Sequence, residues 1–329
     1  MPKILYGIQA TGNGHITRAL EIIPELKKYG SVDLLLSGSH SEIKIPYDIK
    51  YKFKGLGFVF GKNGGIDYWR TFLQFKVKNL REEISNFPIE KYDLVVSDFE
   101  PVSAWAARIK KIDCIGLSNQ CVTLHPKSPK PKNVDWLGKF VLENYAPTSH
   151  NYGLHFKSFD KNIFTPIIPK EIRKTSVENK NHITVYLPAY SDKKILKVLK
   201  NITETEFHIF SKHSNKVYQE KNLNFFPIDK TSFQKSMAES NGVVCNAGFG
   251  ATSEALFLNK KLLVVPMKGQ IEQKYNAAML QSMGVKKIKK FKENKVDEIT
   301  DWIENGKNSK VNFPDNAQSI ISVIVNNHL

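Results

Sequence analysis

Apolar residues along this chain fall alternately into short continuous runs and into stretches at helical spacing. The first run covers residues 3–9 and reads as a buried strand. A turn of small residues, Thr11-Gly12-Asn13-Gly14, follows it, and then Ile16, Ala19, Leu20, Ile23 and Leu26 mark one face of a helix. Gly30 stands where that helix should stop. Further strands are predicted at 32–37, 92–97 and, after another helix, 114–117. The alternation restarts near His182, with strands predicted at 182–187, 207–211, 242–246 and 261–266.

Buried strands alternating with amphipathic helices specify a doubly wound parallel sheet, and the restart specifies two of them. The expected organisation is therefore α/β, with two Rossmann-like domains, 1–160 and 161–314, facing a cleft. Pro166 and Pro169 make 159–175 the expected linker. Residues 315–329 carry Ile320, Ile321, Val323, Ile324 and Val325 and should form a packed helix returning toward the first domain.

A length of 329 residues exceeds what one core usually supports, which agrees with two domains. The N-terminal apolar run is too short for a signal peptide, and no run reaches the roughly 20 residues of a spanning helix, so a cytoplasmic protein is expected. Cys114, Cys121 and Cys245 lack zinc-site spacing and read as core thiols. The net charge of +16 points to an anionic partner, whether nucleic acid, a membrane surface or a phosphorylated substrate, or simply to a lysine-rich soluble surface. Neither zinc-finger spacing nor an aromatic RNA-recognition motif is present, so no specific nucleic-acid partner is expected.

Candidate chemistry clusters at two strand-to-helix turns. At the first, Gly12, Asn13 and Gly14 precede His15. Backbone N–H groups there suit an anion, but Thr17 and Ser37 stand where a dinucleotide fingerprint needs a glycine and an acid. His15 is a candidate general base for an acceptor hydroxyl, or else a helix-start histidine with a local hydrogen bond. Asp98, at a strand end, is a candidate for orienting that imidazole. Its alternatives are a solvated carboxylate or, with Glu100, a pair of metal ligands; no third ligand is apparent, so no metal is expected.

The second turn, Gly248-Phe249-Gly250-Ala251-Thr252, would bring first-turn N–H groups of Ala251 to Ser253 to a diphosphate. Glu254 lies four residues after Gly250, on the same face, where a carboxylate can accept ribose hydroxyls. Glu272 and Gln273 open the next helix at the mouth of the same crevice.

The stretch 225–284, with T-S-E-A-L at 252–256, a strand ending at Pro266, Glu272-Gln273 and Asn276-Ala277, resembles the donor-binding half of GT-B glycosyltransferases. It is similar to the lipid-linked N-acetylglucosaminyltransferases of peptidoglycan synthesis, to plant galactolipid synthases and to UDP-glycosyltransferases. The resemblance implies transfer of a sugar from a nucleotide-diphosphate sugar, UDP-sugar favoured, with inversion and without a metal or other cofactor. It also implies that backbone near Ile228 holds the base, Glu254 the ribose, and Glu272 and Gln273 the sugar, with His15 and Asp98 as base and partner. Leu187-Pro188-Ala189-Tyr190-Ser191 departs from the glycine-serine loop of the peptidoglycan enzymes.

Residues 68–81 mix Tyr68, Trp69, Phe72 and Phe75 with Arg70, Lys76, Lys78 and Arg81. That stretch suits an anionic membrane surface on the inner face and a lipid or lipid-linked hydroxyl acceptor, or else is an ordinary amphipathic helix. Competing readings are a nucleotide-sugar 2-epimerase on the same scaffold, a basic nucleic-acid binder and a sugar-nucleotide sensor without catalysis.

Overall fold

The computed structural model describes residues 1–38, 45–53, 77–123, 125–131 and 136–329, so the aromatic and basic stretch expected at a membrane lies largely outside the described residues. The first half forms a seven-stranded sheet of β1 (Lys3–Gln9), β2 (Ser31–Ser37), β3 (Tyr51–Phe53), β4 (Leu94–Asp98), β5 (Ile115–Ser118), β6 (His150–Leu154) and β7 (Ile163–Phe164). Its order is β3-β2-β1-β4-β5-β6-β7, and every neighbouring pair is parallel. The described helices of this half are α1 (Asn13–Leu26), α2 (Val77–Ser85), α3 (Pro101–Lys110), α4 (Gln120–Thr123) and α5 (Trp136–Tyr145), and α6 (Lys170–Arg173) follows the sheet.

The second sheet comprises β8 (His182–Tyr186), β9 (Glu206–Ser211), β10 (Tyr218–Glu220), β11 (Leu223–Pro227), β12 (Gly242–Cys245), β13 (Lys261–Val264) and β14 (Lys286–Lys287). Its order is β10-β11-β9-β8-β12-β13-β14, with only β10 antiparallel to its neighbour. Its helices are α7 (Asp192–Leu199), α8 (Lys230–Glu239), α9 (Phe249–Phe257), α10 (Ile271–Ser282) and α11 (Val296–Asn305), and α12 (Ala317–His328) ends the chain. The fold is the two-sheet α/β architecture that the alternation predicts.

Continuous apolar strands arise because helices cover both faces of each sheet. In β1, Ile4, Tyr6 and Ile8 join the core formed with Ile16, Ile22 and Ile23 of α1, while Leu5 points to the opposite core with Val102 and Ala106 of α3. The strand order reverses between β1 and β4 in one sheet and between β8 and β12 in the other. Ligands of such sheets bind outside the carboxyl ends of the strands at these reversals.

The C-terminal helix lies against α1, with Ile320, Ile321 and Ile324 fully buried in the same core. The Tyr152 hydroxyl lies 2.9 Å from His328 Nε2, and Asn316 Nδ2 donates to the Thr165 carbonyl at 2.9 Å. Cys114 and Cys245 are buried, Cys121 is half-buried, and all three are free thiols.

Two expectations change. The segment 159–175 is not a plain linker, because Ile163, 4% exposed, completes the sheet as β7 and Pro169 stands at the N-cap of α6. Gly30 does not cap α1, which ends at Leu26 with Lys27 in a right-handed conformation. A Cβ on Gly30 would lie 2.3 Å from the Pro2 carbonyl oxygen, which accepts from Ser31 N at 2.9 Å. The glycine therefore serves a close backbone approach at the base of β1 and β2. Gly30→Ala should destabilise the protein by about 1 to 3 kcal/mol, the usual cost of overpacking. Urea unfolding checks this, and an unchanged midpoint would mean that the strand start can shift without loss.

Candidate active site

At the reversal of the first sheet, β1 gives way to α1 through Gly12, which is extended at φ −162° and caps the helix without a side chain. A Cβ on Gly12 or on Gly14 would meet nothing within 4 Å, so these glycines leave space rather than permit an unusual turn. Gln9 pins the turn from below: its amide donates to Thr11 Oγ1 at 3.2 Å and to the Tyr145 hydroxyl at 2.6 Å, and its carbonyl accepts from Ser37 Oγ at 3.0 Å. Asn13 is half-buried on the first turn.

Asp98 ends β4 beside this turn and is fully buried. His15 Nδ1 lies 2.8 Å from its Oδ1, and Arg18, one turn further along α1, grips both carboxylate oxygens. Burial opposes charge on Asp98 and Arg18, but their mutual attraction and hydrogen bonds outweigh it, holding the carboxyl group below its ordinary range and the guanidinium above. Phe99 follows with φ 56°, a left-handed conformation uncommon for a residue with a side chain, and its ring stacks on Tyr145 at 4.7 Å. That reversal sends Glu100 away from Asp98. Glu100 caps α3, accepting from the backbone N–H groups of Val102 and Ser103, each at 2.7 Å. The two acids therefore do not converge as metal ligands.

In the second sheet, β12 runs through Asn246, whose Nδ2 donates to the Val265 carbonyl at 2.7 Å, to Gly248 at the N-cap of α9. Helix α9 starts at Phe249, so the first-turn N–H groups without an intrahelical acceptor are those of Phe249, Gly250 and Ala251. This corrects the expectation of 251–253. Thr252 is also corrected as a direct ligand: it is fully buried, and its hydroxyl donates to the Gly248 carbonyl at 2.6 Å. Phe249 packs its ring on Phe156 of the first half at 5.1 Å. Ile228 is half-buried just beyond β11, where its backbone borders the α8 start.

Glu254 is 9% exposed, with Gln234 Nε2 at 3.4 Å from its Oε2. Burial pushes its carboxyl group up to about 7. Gln273 turns its side-chain carbonyl to the loop before its helix, accepting from Met267 N at 3.0 Å. Glu272 faces the other half of the molecule, where Gln120 Nε2 donates to its Oε2 at 2.8 Å. Asn119 Nδ2 reaches Asn276 Oδ1 at 3.4 Å alongside, and Asn276 Nδ2 donates to the Ala247 carbonyl at 3.1 Å.

The two glycine turns meet. A Cβ built on Gly250 would lie 4.0 Å from the Cα of Gly14, and one on Gly248 would touch nothing. Two helix N-termini thus open on one cleft, and neither α1 nor α9 has an acid in its first turn to offset the positive end of its dipole. Such an arrangement of helix ends is chemically suited to an anion.

Sequence reasoning placed His15, Asp98 and the Gly248 to Glu254 turn at this cleft but passed over Arg18, Asn119 and Gln120. Arg18 lies three residues after His15 on the same helix face, a spacing that could have found it. Asn119 and Gln120 follow the carboxyl end of β5, the same kind of signal that singled out Asp98.

The raised Glu254 value has a consequence for stability. Its ordinary value is 4.5 and its folded value about 7, so its contribution is fully present below about pH 4.5 and is lost as pH rises through 7. Above pH 8 the ionised buried group costs roughly 3 kcal/mol. Glu254→Gln should therefore be more stable than the parent at pH 8 and similar at pH 4.5, as thermal unfolding at both pH values measures. Equal pH dependence in the two proteins would mean that water reaches this carboxylate freely.

The family model described as Glycosyl transferase family 1 matches residues 2–305. No curated protein matches the chain. Among solved structures, UGT2 of Phytolacca americana, in complex with UDP-2-fluoro-glucose and pterostilbene, superposes with TM-score 0.60 at 12% identity, over 100% of this chain and 95% of that one. MurG of Acinetobacter baumannii superposes with TM-score 0.60 at 16% identity, over 99% of this chain and 100% of that one. UGT89C1 of Arabidopsis thaliana, in complex with UDP, gives TM-score 0.55 at 12% identity, over 100% and 91%. These likenesses show the GT-B fold at full length, and with the family model spanning both sheets the chain belongs to glycosyl transferase family 1 and is a glycosyltransferase.

Proposed function

We propose that the chain transfers a sugar from a UDP-sugar to a hydroxyl acceptor by direct, inverting displacement. The observation that carries this reading is the meeting of the Gly14 and Gly250 turns, which sets a candidate base and an anion-binding helix end on opposite sides of one small space. Phe249, Gly250 and Ala251 offer backbone N–H groups to the diphosphate, and the N-terminus of α9 stabilises negative charge there as it departs. Glu254, further along the same helix, takes the ribose, and backbone around Ile228 borders the base. Glu272 and Gln273 hold the sugar hydroxyls, Glu272 by exchanging its bond with Gln120 for bonds to the sugar.

In the displacement, Nε2 of His15 takes the proton of the acceptor hydroxyl as its oxygen bonds to the anomeric carbon. The bond from that carbon to the diphosphate oxygen breaks, leaving nucleoside diphosphate and glycosylated acceptor, and the proton passes from the imidazolium to water. This chemistry asks for no metal. Uridine is favoured because relatives of the same fold are crystallised with UDP, UDP-2-fluoro-glucose and UDP-L-rhamnose. The net charge of +16 and the basic, aromatic stretch at 68–81 favour an acceptor at an anionic membrane surface, lipid or lipid-linked. No described helix is long and apolar enough to cross a membrane.

His15→Ala should bind UDP nearly as the parent does and transfer sugar roughly 100-fold more slowly or worse, with or without chelator, the worth of a positioned base. Turnover within about threefold of the parent would remove His15 from the reaction. For the acceptor, the protein should float with vesicles containing phosphatidylserine at low salt and be released as salt is raised, since each surface base contributes about 1 kcal/mol. Absence from the vesicle fraction at low salt would point to a soluble acceptor.

A further inference from the structure

We propose that Arg18 is a positioning residue that selects the tautomer of His15, and thereby decides whether Nε2 is free to accept a proton. The inference rests on the reading of His15 as base. Its foundation is a triangle of atoms: His15 Nδ1 lies 2.8 Å from Asp98 Oδ1, Arg18 Nη2 lies 2.5 Å from the same oxygen, and the two nitrogens lie 3.0 Å apart. A guanidinium always carries its hydrogens. Nη2 can therefore give a hydrogen to Nδ1 or share Oδ1 with an Nδ1–H, but Nδ1 cannot accept from Nη2 and donate to Oδ1 at once. Oδ1 belongs to a fully buried carboxylate whose Oδ2 already accepts from Arg18 Nε at 2.9 Å. It is the stronger acceptor, and the close approach of the two nitrogens follows from donating to one oxygen. Nδ1 then holds the proton, and Nε2 keeps its lone pair.

Charge explains why the arginine is needed. Arg18 and Asp98 cancel, so the cluster is neutral with a neutral imidazole. Were Arg18 uncharged, a buried lone carboxylate would be costly and would recruit a proton. A proton taken by His15 makes an imidazolium. A proton taken by Asp98 makes an acid O–H that donates to Nδ1 and leaves the imidazole hydrogen on Nε2. Both outcomes occupy the nitrogen that must act as base. The other ionisable groups within electrostatic reach do not replace Arg18: Tyr6 on β1 is raised well above 10 by burial, Cys121 on α4 is pushed up to about 11 by burial, and Glu272 on α10 faces Arg18 with negative charge of its own.

The test uses the full chain with Arg18→Met, Arg18→Gln and Arg18→Lys; the Gln variant keeps a donor to Asp98 should the Met variant fail to fold. Nitrogen NMR of His15, read without donor or acceptor, should show Nε2 unprotonated at pH 7 in the parent and in Arg18→Lys, and protonated in the two uncharged variants. Transfer by the uncharged variants should fall roughly 10-fold or more at pH 7 and recover at higher pH, the acidic limb moving up by about one pH unit or more. UDP affinity by calorimetry should stay within about threefold. His15 signals unchanged in both uncharged variants would overturn the proposal, and lost UDP affinity with a normal tautomer would make Arg18 a diphosphate ligand instead. Because the NMR readout needs no turnover, a fully active His15→Ala protein would sink the base reading separately.

Discussion

In each sheet of this glycosyltransferase the strand order reverses beside the first strand, between β1 and β4 and between β8 and β12, and the helix starts at those two places, α1 and α9, come together. There the first turns of α1 and α9 approach each other, a Cβ on Gly250 lying 4.0 Å from the Cα of Gly14. Both turns present backbone N–H groups and the positive end of a helix dipole, and both lack the acid that commonly offsets it. A cleft so lined favours an anion held at its floor.

The halves are held in this relation by more than a hinge. Gln120 to Glu272 and Asn119 to Asn276 bridge the cleft, and Phe249 packs on Phe156. Helix α12 crosses back to bury its isoleucines against α1. The polar bridges are exchangeable for ligand hydroxyls, whereas the apolar contacts are not. Opening and closing around a donor would therefore break the bridges first and leave the α12 contact as the fixed element.

Much of this was legible in the sequence because it is local. The run 3–9 became β1 with the same ends, and His15, Gly248 and Gly250 were placed by their position after predicted strands. What escaped depends on tertiary placement. Arg18 on an amphipathic helix reads as a solvent-facing residue until Asp98, eighty positions away, is found beneath it. Gln120 acquires its partner 152 residues later, across the cleft. The first turn of α9 differs from expectation because the helix begins at Phe249, two residues before the small residues Ala251 to Ser253, and the Thr252 hydroxyl is spent on its own helix. Spacing puts Glu254 one turn after Gly250, but the burial that raises its carboxyl group is something spacing does not report. Short or edge strands such as β7 and β14 carry two residues each, too few for any period.

In the proposed reaction one cleft holds the diphosphate at the α9 N-terminus and turns the anomeric carbon toward His15. A crystal structure of the protein with a non-hydrolysable UDP-sugar tests it most directly. Diphosphate oxygens are expected within hydrogen-bond distance of the backbone N–H groups of Phe249, Gly250 and Ala251, with the anomeric carbon lying between the diphosphate and His15 Nε2. A nucleotide bound away from that helix end, or a sugar pointing out of the cleft with His15 remote from its anomeric carbon, would contradict it.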